Sequence, residues 1–334
     1  MKKIVRSNIF INKFEIINMK NLKGRIKGDD VLKLLTGAFA NSTFLILALI
    51  VFKLTEGSWL SIQKFGLGFL IGTKWDPALS QVFGALPLIL GTTVTSTIAL
   101  VIGVPLSIGV ALVLSEYMPR RAGFACSFVV EMLAAIPSVI YGLWGIFTLA
   151  PFLRDNVYPY LQLLLGFTPL FSGPIYGGGV LTGGIILAIM IVPTISSVSR
   201  DVFSAVPSSQ REAILALGAT RWETVKIVMS YARSGIIGAI ILGLGRAVGE
   251  TMAITMIIGN KFQILPSSLF DAWYTLAAII ANEFTEATYD LYVSALIEVG
   301  LVLFLVTFII NVLARVITLR ALGLMRGLVR ECDG

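Results

Sequence analysis

Arg246 and Glu250 stand four residues apart inside an otherwise apolar stretch, "GIIGAIILGLGRAVGETMAITMIIGN" (235–260). On a helix that spacing puts both side chains on one face. An ionisable group in a membrane-spanning helix is costly and functional by default. Two readings fit the pair. It can be an internal ion pair that fixes helix register. Alternatively, Arg246 can offer its planar fork of donors to an oxyanion, with Glu250 holding the fork between visits. Two further carboxylates, Glu131 and Glu298, lie in apolar runs with no obvious basic partner. Each is expected to face a bundle interior or a wet cavity. Other chemistries lack their parts. The chain has no His, so the commonest zinc ligand and the commonest neutral-pH base are missing. Cys126 and Cys332 are far apart and match no metal or redox spacing. No Gly-Lys dipeptide occurs, hence no Walker A loop. No catalytic residue, metal or cofactor is expected, and any ATP is expected to be bound by another subunit.

The elements that must carry these residues are helices in a bilayer. Of 334 residues, 56% are hydrophobic and only 13% charged, against about 25% charged in soluble domains. An all-α polytopic membrane protein follows, with six spans at roughly 34–54, 86–114, 123–150, 180–199, 234–259 and 291–314. Pro87, Pro105 and Pro137 predict kinks in the second and third. Arg246 would sit roughly 18 Å above the start of the fifth span, near mid-membrane, with Glu250 one turn further out. Gly245 and Gly249 would form a small-residue face for close helix contact.

Charge sets the orientation. Apart from Arg246, twenty Lys and Arg residues fall in the N-terminal arm, the 115–122 and 200–233 loops and the C-terminal tail; five fall on the other side. Both termini are therefore expected in the cytoplasm, and the net charge of +7 is ascribed to the membrane rather than to nucleic acid. No cleaved signal peptide is expected. The expected organisation is a basic arm 1–33 (with Met19 an alternative start to Met1), a transmembrane domain 34–319 and a tail 320–334. Outside, residues 61–77 read as an interfacial segment with Trp75 at headgroup level. The stretch 155–179, with eight glycines and prolines, reads as an external loop, re-entrant in part.

The longest internal loop, 200–233, contains two Ser/Thr-x-x-Glu patterns, Ser209 to Glu212 and Thr220 to Glu223, each a capping box. Gly218 falls where a left-handed residue would end the first short helix. Helix, glycine turn, helix is expected. A helix as short as 209–217 needs a partner surface for Ala213, Ile214 and Leu217: its own bundle, or a separate protein.

"EAILALG" (212–218) resembles the EAA loop of ABC-importer permeases, which docks into a groove of the ATPase subunit. Glu212, Ala213 and Gly218 are the matching positions. The family's later Leu-Pro is replaced by Ser230-Tyr231. Together with "AIPSVIYGLWGIF" (135–147), "GLGRAVGETMAITMIIGN" (243–260), "FGLGFLIGTKWDP" (65–77) and 281–311, the chain is similar to the C-type permease subunit of the phosphate-specific ABC importer. The resemblance covers about 25–320. It implies a type I importer permease fold in a multi-pass plasma-membrane protein. It further implies that the chain forms half of a heterodimeric phosphate pathway with an A-type permease subunit, served by two cytoplasmic ATPase subunits and an external phosphate-binding protein. Within that resemblance Arg246 and Glu250 belong to the substrate path. Permeases for molybdate or sulfate, and a stand-alone secondary transporter or channel, are the rival readings; an intramembrane enzyme is a distant third.

Overall fold

The computed structural model describes residues 28–262 and 268–332. Most of the expected basic arm therefore lies outside the described residues. The chain divides between Phe52 and Lys53. The first unit, from Gly28, is the larger part of helix α1 (Gly28–Gly57), which exposes Phe39, Phe44 and Phe52. A helix apolar all round is one made for a hydrophobic surrounding.

The second unit begins with the end of α1 and two short helices, α2 (Trp59–Phe65) and α3 (Gly68–Ile71). A two-residue hairpin follows, β1 (Trp75–Asp76) paired antiparallel with β2 (Val82–Phe83). The expected interfacial segment is thus a small folded motif. Trp75 is engaged within this part of the fold. It is half-buried, 4.9 Å from Phe83 between ring centroids, and its Nε1 donates to Glu283 Oε2 at 2.7 Å.

The spanning elements follow. Helix α4 (Leu86–Leu112) opens on Pro87, whose missing N–H costs nothing in a first turn. Pro105 lies inside α4 without ending it, and the helix closes in a π-helical stretch, Val113–Tyr117. Next come α5 (Arg120–Ala134), α6 (Ser138–Trp144), α7 (Ala150–Asn156) and α8 (Tyr158–Leu165). The chain bends by 87° between α5 and the α6–α8 run, at Pro137, which is the residue preceding α6. Of the three prolines expected to kink a span, this is the one that breaks it. The 155–179 stretch is partly helical rather than all loop. Helix α9 (Val180–Ser204), α10 (Ser208–Ala216), α11 (Arg221–Gly249), α12 (Met252–Ile257), α13 (Leu276–Glu283) and α14 (Asp290–Cys332) complete the order.

Five described helices are long and apolar enough to cross a bilayer, and the bent α5–α8 run makes a sixth if taken as one span. Helix α11 starts at Arg221, well before the expected 234, and stops at Gly249 rather than 259. One core joins Ala99 of α4, Ile191 and Ile195 of α9, Ala239 and Ala247 of α11, and Leu296 and Val299 of α14. A second, smaller core closes the α10 end with Ala111, Phe203, Val206, Val228 and Ala232. The hairpin precedes α4 and α10 meets its far end, so the two lie at opposite ends of the bundle.

Candidate functional site

Arg246 sits in the last turn of α11. The helix stops three residues later. Glu250 is extended (φ −69°, ψ 129°), and the chain becomes helical again only at Met252. Glu250 is the residue at which the chain leaves α11. Among the described residues no carboxylate lies within 4.0 Å of the Arg246 guanidinium, so the expected local pair does not form. Arg246 Nη1 instead donates to Thr194 Oγ1 of α9 at 3.2 Å. Glu250 Oε1 accepts from the Ala253 amide at 3.3 Å, satisfying one of the free donors in the first turn of α12. Both charged side chains are half-buried.

A second broken helix braces the first. Helix α12 packs on α6, the far half of the Pro137 break. A Cβ at Gly142 would lie 3.2 Å from Ala253 Cα and 2.6 Å from Met256 Sδ, so glycine gives the close approach and a larger residue would have to displace Met256 and press on the α12 backbone. Tyr141 is buried with Ile186, Met190, Ala253 and Ile257. Its hydroxyl donates to the Leu133 carbonyl at 2.9 Å, tying α6 to the end of α5 across the bend. Two discontinuous helices thus meet beside a guanidinium whose one partner here is neutral. In a spanning helix such a group retains donors, and an anion is what it lacks. Broken helices near the membrane midplane are a recurrent way to build transport sites. Thr194 and Tyr141 were not singled out by the sequence. Nothing marks them in an apolar run until the fold sets them beside the breaks.

Gly245 and Gly249 do not make the close contact expected of them within the chain. A Cβ at either would meet nothing within 4 Å. With Gly238, also open, and Leu242, which is 58% exposed, they form one outward stripe on α11.

At the other end, α10 is preceded by Pro207 and has no side-chain cap; the expected Ser209–Glu212 capping box is not formed. The proline has already turned the chain, and the helix starts at Ser208, two residues earlier than the box requires. The Thr220–Glu223 box is formed: the Thr220 amide donates to Glu223 Oε2 at 2.7 Å, and the Glu223 amide to Thr220 Oγ1 at 3.4 Å. Gly218 is left-handed, with φ +83°. Glu212, Ala213 and Gly218 are all exposed. So are Leu215 and, at 88%, Leu217. The apolar side of α10 is therefore not fully spent on its own bundle; only Ile214 among the expected trio is half-buried.

What holds α10 is Arg211, a residue the sequence reading passed over although it directly precedes Glu212. Its Nη2 and Nε donate to Glu116 Oε1 and Oε2 at 2.8 and 3.2 Å. Its Nη1 and Nη2 also donate to the carbonyls of Val206 and Phe203 at 2.5 and 2.7 Å. A cavity of about 560 Å³ opens beside this fork, lined among others by Glu116, Arg211, Glu131, Arg200, Phe124 and Phe128. Glu131, expected to lack a basic partner, pairs with Arg200 at 2.9 Å. The two are far apart in sequence and meet because α5 packs on α9. Glu298 does face the bundle interior: it is 5% exposed, and its Oε2 has no hydrogen-bond partner among the described residues. Near the hairpin, burial pushes the Glu283 carboxyl above its ordinary range, against the opposing pull of donors from Tyr292 and Trp75.

Residues 103–322 match the profile of the family described as "Binding-protein-dependent transport system inner membrane component". The chain is 48% identical over 292 residues to the phosphate transport system permease protein PstC of Haemophilus influenzae, covering 86% of this chain and 92% of that one. It is 46% identical over 297 residues to the PstC of Mesorhizobium japonicum, covering 87% and 90%. In fold it is similar to a chain of a bacterial ABC transporter that imports the acidic polysaccharide alginate, with a TM-score of 0.56, 18% identity, and coverage of 87% of this chain and 98% of that one.

Proposed function

The chain belongs to the binding-protein-dependent transport inner-membrane components, as a PstC-type permease subunit of a phosphate ABC importer in the plasma membrane, and from that premise we propose that phosphate crosses beside Arg246. The observation that carries the reading is the half-buried guanidinium at the junction of two broken helices, with a single, neutral hydrogen-bond partner among the described residues. Its planar fork matches two phosphate oxygens at once. Burying a cation without a counter-ion costs several kcal/mol in real proteins, and a passing oxyanion offsets that cost only while it is present. Glu250, accepting from the Ala253 amide of α12, is four residues further along the chain. In our reading it swings to the guanidinium once phosphate has left, which clears the site and keeps Arg246 from holding its cargo. Molybdate or sulfate as cargo, and a transporter working alone, are not favoured by relatives that are phosphate permeases over nearly the whole chain.

The remaining assembly is part of the same proposal. The outward stripe of Gly238, Leu242, Gly245 and Gly249 on α11, open in this chain, suits the close approach of a helix from an A-type permease subunit, so that the path is shared between two chains. Glu212, Ala213 and Gly218, exposed on α10 and its glycine turn, suit the groove of a cytoplasmic ATPase subunit, one of two; an external phosphate-binding protein would deliver cargo at the hairpin end. This orientation has both termini inside, on the twenty-to-five charge asymmetry. A membrane-impermeant thiol reagent should then reach a cysteine placed near Gly177, at the exposed Tyr176, and miss one near Ser208; the reverse pattern would overturn the orientation. The path itself is tested by Arg246→Lys, which keeps the charge and loses the fork. Phosphate uptake should fall by about thirtyfold or more, the scale of a truncated buried charge contact, while co-purification with the partner subunits is unchanged. Uptake at the wild-type rate would count against a bidentate contact.

A further inference from the structure

We propose that Arg211 is a positioning residue that makes α10 a lever on the bundle, moving the ends of α4 and α9 together when α10 is pushed. The inference rests on the reading of α10 as the helix that faces the ATPase. Helix α10 has nine residues, too few to be stable in water unaided, and much of its surface is exposed. Its grip on the bundle is concentrated in one side chain.

Each contact of that side chain reaches a different element. Glu116 belongs to the π-helical end of α4. Phe203 lies in the last turns of α9, and Val206 in the connection from α9 to α10. These anchor points do not yield easily. Phe203 and Val206 are 0% and 4% exposed and pack with Ala111 of α4 and Val228 and Ala232 of α11. The Glu116 side chain is 9% exposed and that of Arg211 23%, so the pair is shielded from water, and screening by salt is weak. The two carbonyls come from the end of α9, where a cation is favoured by the helix dipole.

A guanidinium with four such bonds is fixed in angle as well as in place, which an ammonium could not be. A short helix held by packing alone could tilt without moving anything. Tied through four of the five donors of the Arg211 fork, it must carry the ends of α4 and α9 with it or break a shielded ion pair. Arg200 and Glu131 extend the connection from α9 to α5. The cavity of about 560 Å³ beside the fork gives those ends room to shift.

The test uses the full chain assembled with its partner subunits in membrane vesicles, measuring radiolabelled phosphate taken up per ADP formed, alongside ATPase co-purification and thermal stability. The paired change Glu116→Gln with Arg211→Gln strands no charge, so a merely structural pair should tolerate it. The lever predicts retained assembly and stability, with phosphate per ADP lowered roughly fivefold or more, within the range by which residues between two sites change their coupling. Arg211→Lys keeps the charge opposite Glu116 and should give a smaller loss in the same ratio; it decides the matter if the double variant fails to assemble. A wild-type ratio in an assembled variant would overturn the lever and leave the ATPase reading intact. Failure of the unaltered chain to retain an ATPase subunit would overturn that reading, and the lever with it.

Discussion

Arg246 and Arg211 are both carried on helices of one chain, and they are treated in opposite ways. Arg211 directs its fork at two carboxylate oxygens and two carbonyls. Arg246 has one described side-chain partner, a threonine hydroxyl. A guanidinium with four of its five donors engaged resists movement and has little left to offer. An unsaturated one, half-buried, is costly to keep and is free to take an anion. The surroundings follow the same division. Arg211 is clamped where the helix ends are packed by Phe203 and Val206; Arg246 lies where two helices are broken and the packing depends on a glycine at 142.

This contrast can be broken or sharpened by substitution. Gly142→Val should have the larger effect of two tests away from the charges. Its side chain would enter the space of Met256 and Ala253, and overpacking of this kind costs about 1–3 kcal/mol. Thermal stability should drop, and uptake should drop further than stability explains, because α12 and Glu250 would be displaced; full uptake would show that the junction of the breaks does not position the path. Thr220→Ala should have a smaller effect. It removes a capping box at the start of α11, worth about 1 kcal/mol. Amide exchange should speed up in the first turn of α11, while the clamp at Arg211 keeps the protection of α10 unchanged. Loss of protection through α10 as well would mean that the cap, rather than Arg211, holds that helix.

Much of this was legible in the sequence, and the reasons differ by level. Lipid-spanning lengths and the glycine turn at 218 follow from local rules, hydropathy and backbone sterics, and the structure agrees with them. The Thr220 box is equally local. The Ser209 box failed because Pro207 already sets the helix start, a competition that spacing alone does not settle. The Arg246–Glu250 pair failed because each side chain has another partner, Thr194 of α9 for Arg246 and the Ala253 amide of α12 for Glu250, which only packing and the helix break supply. The ion pairs Arg211–Glu116 and Arg200–Glu131 were not legible, since each joins residues brought together only by packing of separate helices. The partners of Trp75, a carboxylate at 283 and rings at 69 and 83, were not legible for the same reason.

The most direct measurement is phosphate uptake by the paired variant Arg246→Gln with Glu250→Gln, in complexes shown to be assembled. Neither charge is left stranded, so the fold should tolerate the change. If phosphate crosses at the Arg246 fork, uptake is abolished while assembly and the Arg211 clamp persist. Uptake at the wild-type rate would contradict that, and would mean that α11 carries its two charges for architecture alone.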